Sequence, residues 1–451
     1  MASAAAPSIA HTPTGQIPLA APARPGWKDS FSSLRVYNYR LYVTGQIVGN
    51  TGTWMQRVAQ DWLVLQLTHN VGAVGITVAL QFAPMLFFGL VGGVVVDRYP
   101  KRTLLTITQT FAGLSAATLA TLTLTGAVQA WQVFAIAFFL GMVTVIDNPS
   151  RQAFVNELVG RKNLRNAISL NSSIFQLGGL VGPAIAGVMI HAVGEGWAFA
   201  INAVGYIYVV IVLRKMRTGE LEPAPRQPRA KGQLREGLKY IAGKPEIIWT
   251  VVLVAFVGLF SLNMTVLLAA FAARVYDTGS SGYGMFNSLV AIGSLTGALA
   301  STRRSSVRLR GLVLAVGAVA VFQLVAAVAP DRITFSILLI PIGAATLMFL
   351  TGANSLIQLT TAPGVRGRVM ALYLLVLIGA QAIGGLVMGQ VAEHLGPRGA
   401  LAICGSVPLI AAVVIGIVLA RVGRLRLTVD LHRHGLRSFV RIVGRDGQTH
   451  G

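Results

Sequence analysis

The stretch that decides the fold is GVVVDRYPKR at 93–102, which lies between two long apolar segments. Its carboxylate, Asp97, ends one segment of membrane-spanning length, and its three cations lie in a loop too short to fold alone. A related stretch, GALASTRR at 297–304, also follows an apolar segment, but Ser301 stands where the first copy has Asp97. A charged hairpin used twice predicts an internally duplicated protein that crosses the membrane many times.

The composition also places the chain in a membrane. Of its 451 residues, 54% are hydrophobic and only 12% are charged, whereas a soluble domain carries about 25% charged residues. Apolar runs recur along the whole chain, and a run of roughly 20 residues crosses the ~30 Å hydrocarbon core of a bilayer. We therefore predict an all-α polytopic membrane protein with twelve transmembrane helices.

The basic residues predict the orientation. A net charge of +22 would suggest nucleic-acid binding in a soluble chain. Here, however, 33 of the 37 Lys and Arg residues fall before the first span, in alternate loops or after the last span. The positive-inside rule then puts both termini in the cytoplasm, and we expect no nucleic-acid partner. Because residues 1–30 have no apolar h-region, we expect the first span to direct insertion.

A long polar segment divides the chain. It contains ELEPAPRQPR at 220–229, which is typical of an extended linker. Apolar residues at helical spacing around 234–241 then predict a short surface helix. The predicted parts are a disordered cytoplasmic tail at 1–39, a six-helix half at 40–213, a cytoplasmic linker with a short amphipathic helix at 214–246, a second six-helix half at 247–420 and a basic cytoplasmic tail at 421–451.

Arg57 and Asp61 are the only charges well inside an apolar span. Ionisable groups there are costly and usually face a polar cavity or a partner, and a four-residue offset puts both on one helix face. Asp61 is the candidate proton-coupling group and Arg57 the cation that tunes it; a static salt bridge between them is the alternative. Further candidates for the wall of a central cavity, each with interhelical hydrogen bonding as its alternative, are Gln56, Trp62, Gln81, Asn171, Gln176, Asn263 and Gln381.

Two further patterns concern helix ends and packing. Asp147 and Arg151 are four residues apart at the end of the fourth span, so they can pair. The fifth span has small residues four apart and a proline, which favour close helix packing; they are Gly178, Gly182, Pro183 and Gly187. The single Cys404 excludes a disulfide framework. We expect no metal site, no catalytic group and no enzyme activity, and the chain has no P-loop motif for ATP hydrolysis.

With these residues the chain resembles the major facilitator superfamily. The superfamily's loop signature, G-x-x-x-D-R-x-G-[RK]-[RK], is matched at Gly93, Asp97, Arg98, Lys101 and Arg102, whereas Pro100 stands where the pattern has glycine. Within the superfamily the chain is similar to the bacterial drug and siderophore exporter branch, which includes enterobactin and macrolide exporters. The stretches that carry this similarity are WMQRVAQDWL at 54–63, DNPSRQA at 147–153, SGYG at 281–284 and RGRVMALY at 366–373.

The resemblance covers roughly residues 33–420 and implies the major facilitator fold, in which two pseudo-symmetric six-helix halves rock about a central site. It places Asp97 near the start of the eleventh span and makes the segment at 178–187 similar to the antiporter signature. A cytoplasmic gate is then expected to hold the outward-facing state closed, with loop cations that only enforce topology as the alternative. Its residues are Gly93, Asp97, Arg98, Lys101, Arg102, Asp147, Arg151, Arg366 and Arg368.

Together these patterns predict a secondary transporter of the bacterial plasma membrane. We expect a monomer, driven by a proton gradient without a cofactor, that exports a hydrophobic or amphipathic small molecule in exchange for protons. Drugs, antibiotics and siderophores are the candidate cargoes. A proton-coupled importer of a small metabolite is the alternative, and a non-transporting membrane sensor or scaffold is a more distant one.

Overall fold

Long helices joined by short turns follow the apolar segments of the sequence. The computed structural model describes residues 29–221, 233–302, 308–362, 365–422, 425–429 and 440–444. The first half consists of α1 (Tyr37–Thr68), α2 (Val71–Arg98), α3 (Lys101–Leu124), α4 (Ala130–Val193) and α5 (Glu195–Lys215), with 3-10 turns at Asp29–Arg35 and Thr218–Glu220. A positive φ of 61° at Gly160 breaks α4 into two segments, so this half has six helical segments.

The second half has the same plan and more irregular helices. After the surface helix α6 (Gln233–Ala242), it consists of α7 (Pro245–Phe256), a π-helical segment at Val257–Ser261, α8 (Met264–Ala270), a second π-helical segment at Phe271–Val275, α9 (Gly279–Thr302), α10 (Leu309–Ala327), α11 (Arg332–Thr360) and α12 (Arg366–Val422). Gly396, with φ 75°, breaks α12. Two strands then pair antiparallel, β1 (Leu425–Val429) with β2 (Val440–Gly444), a hairpin that the sequence pattern does not predict.

The helices are long enough for the predicted membrane crossings. Within the described ranges, nine segments are both long and apolar enough to cross a bilayer, and one of them, Arg366–Arg421, has the length for two crossings. Helices α1 and α3, of 32 and 24 residues, lie outside this set, although a crossing needs only about 20 residues. The helices are thus consistent with twelve crossings.

Among the residues that the structure describes, the hydrophobic core is shared by the two halves at one end of the bundle. We call the end that holds 98–102 and 366–368 the basic end, and the opposite end, with 68–71 and 274–279, the far end. At the far end one buried cluster contains side chains of both halves, among them Leu63, Val74, Phe271 and Met388. At the basic end each half has its own cluster, built around Phe154 in the first and Phe349 in the second. The halves are therefore packed together at the far end and have separate cores at the basic end.

Two helix pairs join the halves through glycine. Where α2 meets α12, a Cβ on Gly75 would lie 2.3 Å from the carbonyl oxygen of Gly385. Where α4 meets α9, a Cβ on Gly284 would lie 2.7 Å from the Cα of Gly187. Real side chains do not approach backbone so closely, so both contacts require glycine. The far end is closed by backbone-to-backbone packing.

The predicted packing motif of the fifth span serves two interfaces. Gly178 and Gly182 face α1, where added Cβ atoms would lie 3.0 Å from Asn50 and 2.7 Å from Trp54. Gly187, one turn after Pro183, instead contacts Gly284 in the other half. One glycine stripe thus lets α4 approach both a helix of its own half and a helix of the partner half.

In each half, a short helix that precedes the first membrane-length helix is hydrogen-bonded to the bundle. These short helices are the 3-10 turn at Asp29–Arg35 and α6. In the first, the backbone N–H of Ser33 donates to Oδ1 of Asn166, 3.1 Å away at the start of the second segment of α4. In the second, the Tyr240 hydroxyl on α6 accepts from the backbone N–H of Ala362, 3.0 Å away and just before α12. Helix α6 lies where the sequence predicts a short surface helix. The shared plan fits an internal duplication.

Candidate functional site

Asp61 is a buried carboxylate at the contact between the two halves. It lies on α1 within the far-end cluster and is 2% exposed. Its Oδ2 accepts a hydrogen bond from the Tyr283 hydroxyl on α9, 3.3 Å away in the other half. Within the part of the chain that the structure describes, Oδ1 has no hydrogen-bond partner. A buried polar atom without a hydrogen-bond partner is costly. Protonation of Asp61, or a rearrangement around it, would therefore change the free energy of this state.

Tyr283 contributes its ring as well as its hydroxyl. The ring stacks on Trp62, with centroids 5.8 Å apart and planes 25° from parallel. The next residue is Gly284, which makes the close approach to Gly187, so the same helix contact brings Tyr283 up to α1. The sequence pattern includes the SGYG stretch at 281–284 but gives Tyr283 no role of its own. An aromatic residue between glycines at the start of a span was the available signal.

Arg57 lies apart from Asp61 and is half-exposed. Its guanidinium lies over the Trp54 ring, 5.3 Å from the centroid, and over the Phe82 ring, 5.7 Å from the centroid. Such cation–π contacts contribute about 0.5–2 kcal/mol each. None of the ion pairs among the described residues joins Arg57 to Asp61. The salt bridge that the four-residue spacing allows is therefore not formed in this structure.

The predicted cavity residues fall into two groups. Half-exposed side chains, which remain candidates for a cavity wall, are Gln81, Asn171, Gln176 and Gln381. The buried side chains are Gln56, Trp62 and Asn263, and of these Gln56 makes a hydrogen bond to another helix. The carbonyl oxygen of the Gln56 side chain accepts from the Asn202 amide on α5. The Asn263 amide donates to the backbone oxygens of Gly258 and Leu259, at 3.0 and 3.1 Å, carbonyls that belong to the π-helical break after α7.

Several predicted gate residues make contacts within the first half. Lys101 Nζ lies 3.5 Å from Oε1 of Glu157. Arg102 donates to the backbone oxygens of Leu213 and Arg214, at 2.7 and 2.8 Å, and so caps the C-terminal end of α5. These contacts fasten the ends of α3, α4 and α5 to one another, a structural role that the sequence did not predict for Lys101 and Arg102.

Asp147 and Arg151 form the ion pair that their spacing allows. Asp147 Oδ1 also accepts hydrogen bonds from Thr108 and Gln109 of α3, both at 2.8 Å. Because the carboxylate has both an ionic partner and neutral donors, it is well satisfied in its buried position. This cluster lies within the first half.

The remaining gate residues lie at the basic end. Asp97 and Arg98 are exposed at the end of α2, and Gly93 is half-buried one turn earlier. Arg366, exposed at the start of α12, donates to the backbone oxygen of Thr361 at 3.5 Å, and Arg368 is half-exposed beside it. Across the described ranges, no group of three or more His, Cys, Asp or Glu residues is arranged to hold a metal ion.

Comparison with known proteins identifies the family. A family model described as a transmembrane secretion effector matches residues 28–428. The enterobactin exporter EntS of Salmonella typhi is 23% identical over 415 residues, which cover 90% of this chain and 98% of that protein. The staphyloferrin A transporter of Staphylococcus aureus is 27% identical over 252 residues, 55% of this chain and 62% of that protein.

Solved structures show the same fold. The peptide transporter POT superposes with a TM-score of 0.69 at 12% identity, over 86% of this chain and 95% of that one. The nucleoside transporter NupG gives a TM-score of 0.68 at 12% identity, over 84% and 98%. Because the family model covers most of the chain and the fold agrees, the chain belongs to the transmembrane secretion effector family of the major facilitator superfamily and is a membrane transporter, not an enzyme.

Proposed function

We propose that the protein exports an oxygen-rich small molecule of the siderophore class, in exchange for protons, across the bacterial plasma membrane. The observation that carries proton coupling is Asp61, buried and bonded to Tyr283 of the other half. The direction and the class of cargo are supported by similarity to an enterobactin exporter along 90% of this chain.

Proton coupling follows from the position of Asp61 between moving parts. Tyr283 can donate to Asp61 only while the far end is closed, because the two residues belong to different halves. Opening the far end separates them and exposes the carboxylate to water. The free energy of adding a proton therefore differs between the two states, and that difference lets a proton gradient shift their populations.

The class of cargo is supported by the surroundings of Arg57. Siderophores bind iron through hard oxygen donors, many of them acidic. A partly buried arginine whose guanidinium lies over the faces of Trp54 and Phe82 suits an anionic or aromatic oxygen-rich molecule, and the partly buried residues Gln81 and Gln381 can add hydrogen bonds. A lipophilic cation would be repelled by Arg57.

The basic loops give the proposed cycle its direction. If the basic end faces the cytoplasm, as the positive-inside rule predicts, the structure is inward-facing, with cargo entering from the cytoplasm. Closing the basic end would then bring Asp97 and its neighbouring cations toward Arg366 and Arg368 as the cytoplasmic gate. The contacts of Lys101 and Arg102 within the first half support a positioning role for these two residues.

Flux in inside-out proteoliposomes tests the proposal. We expect labelled iron-free enterobactin to accumulate when the lumen is acidic, and ethidium, a lipophilic cation, not to accumulate. Asp61→Asn should abolish the accumulation driven by the gradient and keep counterflow exchange of cargo, because binding does not require the proton. The matched control is Asp331→Asn, an exposed far-end carboxylate away from Asp61, which should behave as the wild type.

The other outcomes are equally informative. Gradient-driven accumulation that survives in Asp61→Asn would contradict the assignment of the proton site. Cargo that leaves the acidic lumen together with protons would favour the importer. Transport of ethidium in preference to enterobactin would overturn the proposed class of cargo.

A further inference from the structure

A polar cluster crosses between the halves at the far end, outside the site described above. Nη2 of Arg274, at the end of the second π-helical segment, lies 2.9 and 3.2 Å from the two carboxylate oxygens of Glu393 on α12. The same nitrogen donates to the backbone oxygen of His69 at 2.7 Å. Oε2 of Glu393 accepts from the backbone N–H of Val71, also at 2.7 Å. Two side chains of the second half thus form hydrogen bonds with two backbone groups of the first half.

The contact with Val71 caps a helix. Val71 is the first residue of α2, and the first N–H groups of a helix have no partner within it. The side chain of Asn70 accepts from Ala73, while Glu393 accepts from Val71. A carboxylate is favourable here because the N-terminus of a helix carries partial positive charge. Glu393 therefore completes the cap of a helix that belongs to the other half.

Asp97 has the corresponding position at the opposite end of the same helix pair. Helix α2 runs from the far end to the basic end, whereas the first segment of α12 runs the other way. Asp97 is one residue before the end of α2, and Glu393 is three residues before the break at Gly396. Each helix thus carries a carboxylate near its C-terminal end. In this structure Glu393 caps α2, and Asp97 is exposed.

We propose that Glu393 and Arg274 form a far-end latch that stabilises the state closed at the far end, as the counterpart of Asp97 at the basic end. This inference rests on the proposed function, since it assumes that the halves rock. The two ends exclude each other because rocking one half against the other opens one end of the bundle as it closes the other. Rocking that brings Asp97 to the start of α12 pulls Glu393 away from Val71.

The latch differs from an ordinary ion pair in where its partners lie. Arg274 and Glu393 belong to the same half, so their mutual attraction alone would not hold the halves together. What crosses the interface is the donation from Arg274 to His69 and the donation from Val71 to Glu393. The ion pair orients both side chains for these bonds. The side chains are 33% and 23% exposed, so opening the far end does not require moving a fully buried charge.

A distance measurement without cargo tests the latch. Spin labels on Ala127→Cys and Val328→Cys report the separation of exposed turns of the two halves at the far end, and the native Cys404 can stay because it is buried. We expect the wild type in lipid nanodiscs to populate mainly the short distance. Glu393→Gln and Arg274→Gln should each raise the ratio of long to short distances, by about tenfold, the change that a loss of about 1.4 kcal/mol produces.

The matched control is Asp331→Asn, which removes the same charge at the same end. The backbone N–H of Thr334 donates to Asp331 at 2.9 Å, and its hydroxyl donates at 2.7 Å. These bonds hold the pKa of Asp331 below its usual value. They also stay within the second half, so the control should leave the distances unchanged.

Other results have clear meanings. If Glu393→Gln and Arg274→Gln both keep the wild-type distances, the latch is wrong. If Glu393→Gln does not fold, Arg274→Gln tests the same contacts. The double variant should shift the ratio no more than the stronger single variant, because each side chain acts through the other; additive shifts would contradict the shared latch. Since no cargo is used, a failure of the proposed transport activity leaves this test intact.

Discussion

Tyr283 shows, at the scale of one residue, how two functions share a side chain. Its ring stacks on Trp62, and its hydroxyl donates to Asp61, which is 222 residues away in the sequence. The ring contact is apolar and insensitive to charge, whereas the hydroxyl contact depends on the state of the carboxylate. The two contributions can therefore be separated by removing one oxygen atom.

Tyr283→Phe should keep the far-end packing and weaken proton coupling. A hydrogen bond to a carboxylate is worth about 1.5–3 kcal/mol, so gradient-driven flux should fall at least about tenfold, while the ring contact with Trp62 is kept. Tyr208→Phe is the control, because the Tyr208 hydroxyl contacts Thr44 within the first half. Unchanged flux in Tyr283→Phe would show that the Asp61 contact does not take part in coupling.

At the scale of the element, α2 and α12 form the contact that sets the far end. A Cβ on Gly75 would overlap the Gly385 carbonyl, and overpacking of this kind costs about 1–3 kcal/mol. Gly75→Ala should therefore favour the state that is open at the far end, which the spin-label distance between positions 127 and 328 would report. A methyl group at Gly317 of α10 meets nothing within 4 Å, so Gly317→Ala should leave the distance unchanged. Equal distances in both variants would contradict the close contact.

The loop between α2 and α3 also separates two roles within one motif. Arg102 caps the end of α5 through two carbonyls, whereas Arg98 is exposed. Arg102→Gln should lower the melting temperature in detergent, because charged hydrogen bonds of about 1.5–3 kcal/mol each are lost. Arg98→Gln should leave the melting temperature unchanged. The reverse order of stabilities would contradict the structural role of Arg102.

The sequence predicts the helices well because the signal is local. Apolar length and basic loops predict a six-helix half that begins at residue 40, and the structure has α1 at Tyr37–Thr68. Partners across the interface give no local signal. Glu393 and Val71 are 322 residues apart, and Asn202, which donates to the side-chain oxygen of Gln56, is 146 residues away from it. A polar residue in a span does not indicate which distant residue it contacts.

At the scale of the whole molecule, the closed far end and the separate basic-end cores predict one-sided access. Cysteines at Gln176 and Gln381, both half-exposed, should react with an impermeant maleimide in inside-out vesicles and be protected in intact cells. Ala127→Cys, exposed at the far end, should show the opposite pattern and control for reagent delivery. Equal labelling of all three cysteines from both sides would contradict the closed far end and the predicted orientation.

The shared apolar cluster at the far end has a thermal consequence. Closing that end removes hydrocarbon surface from water, which lowers the heat capacity, and such burial loses strength on cooling. The proposed gate at the basic end is charged and is weakened by electrolyte instead. Temperature and ionic strength therefore act on opposite ends of the transporter: cold should loosen the far-end seal, and salt should loosen the proposed gate at the basic end.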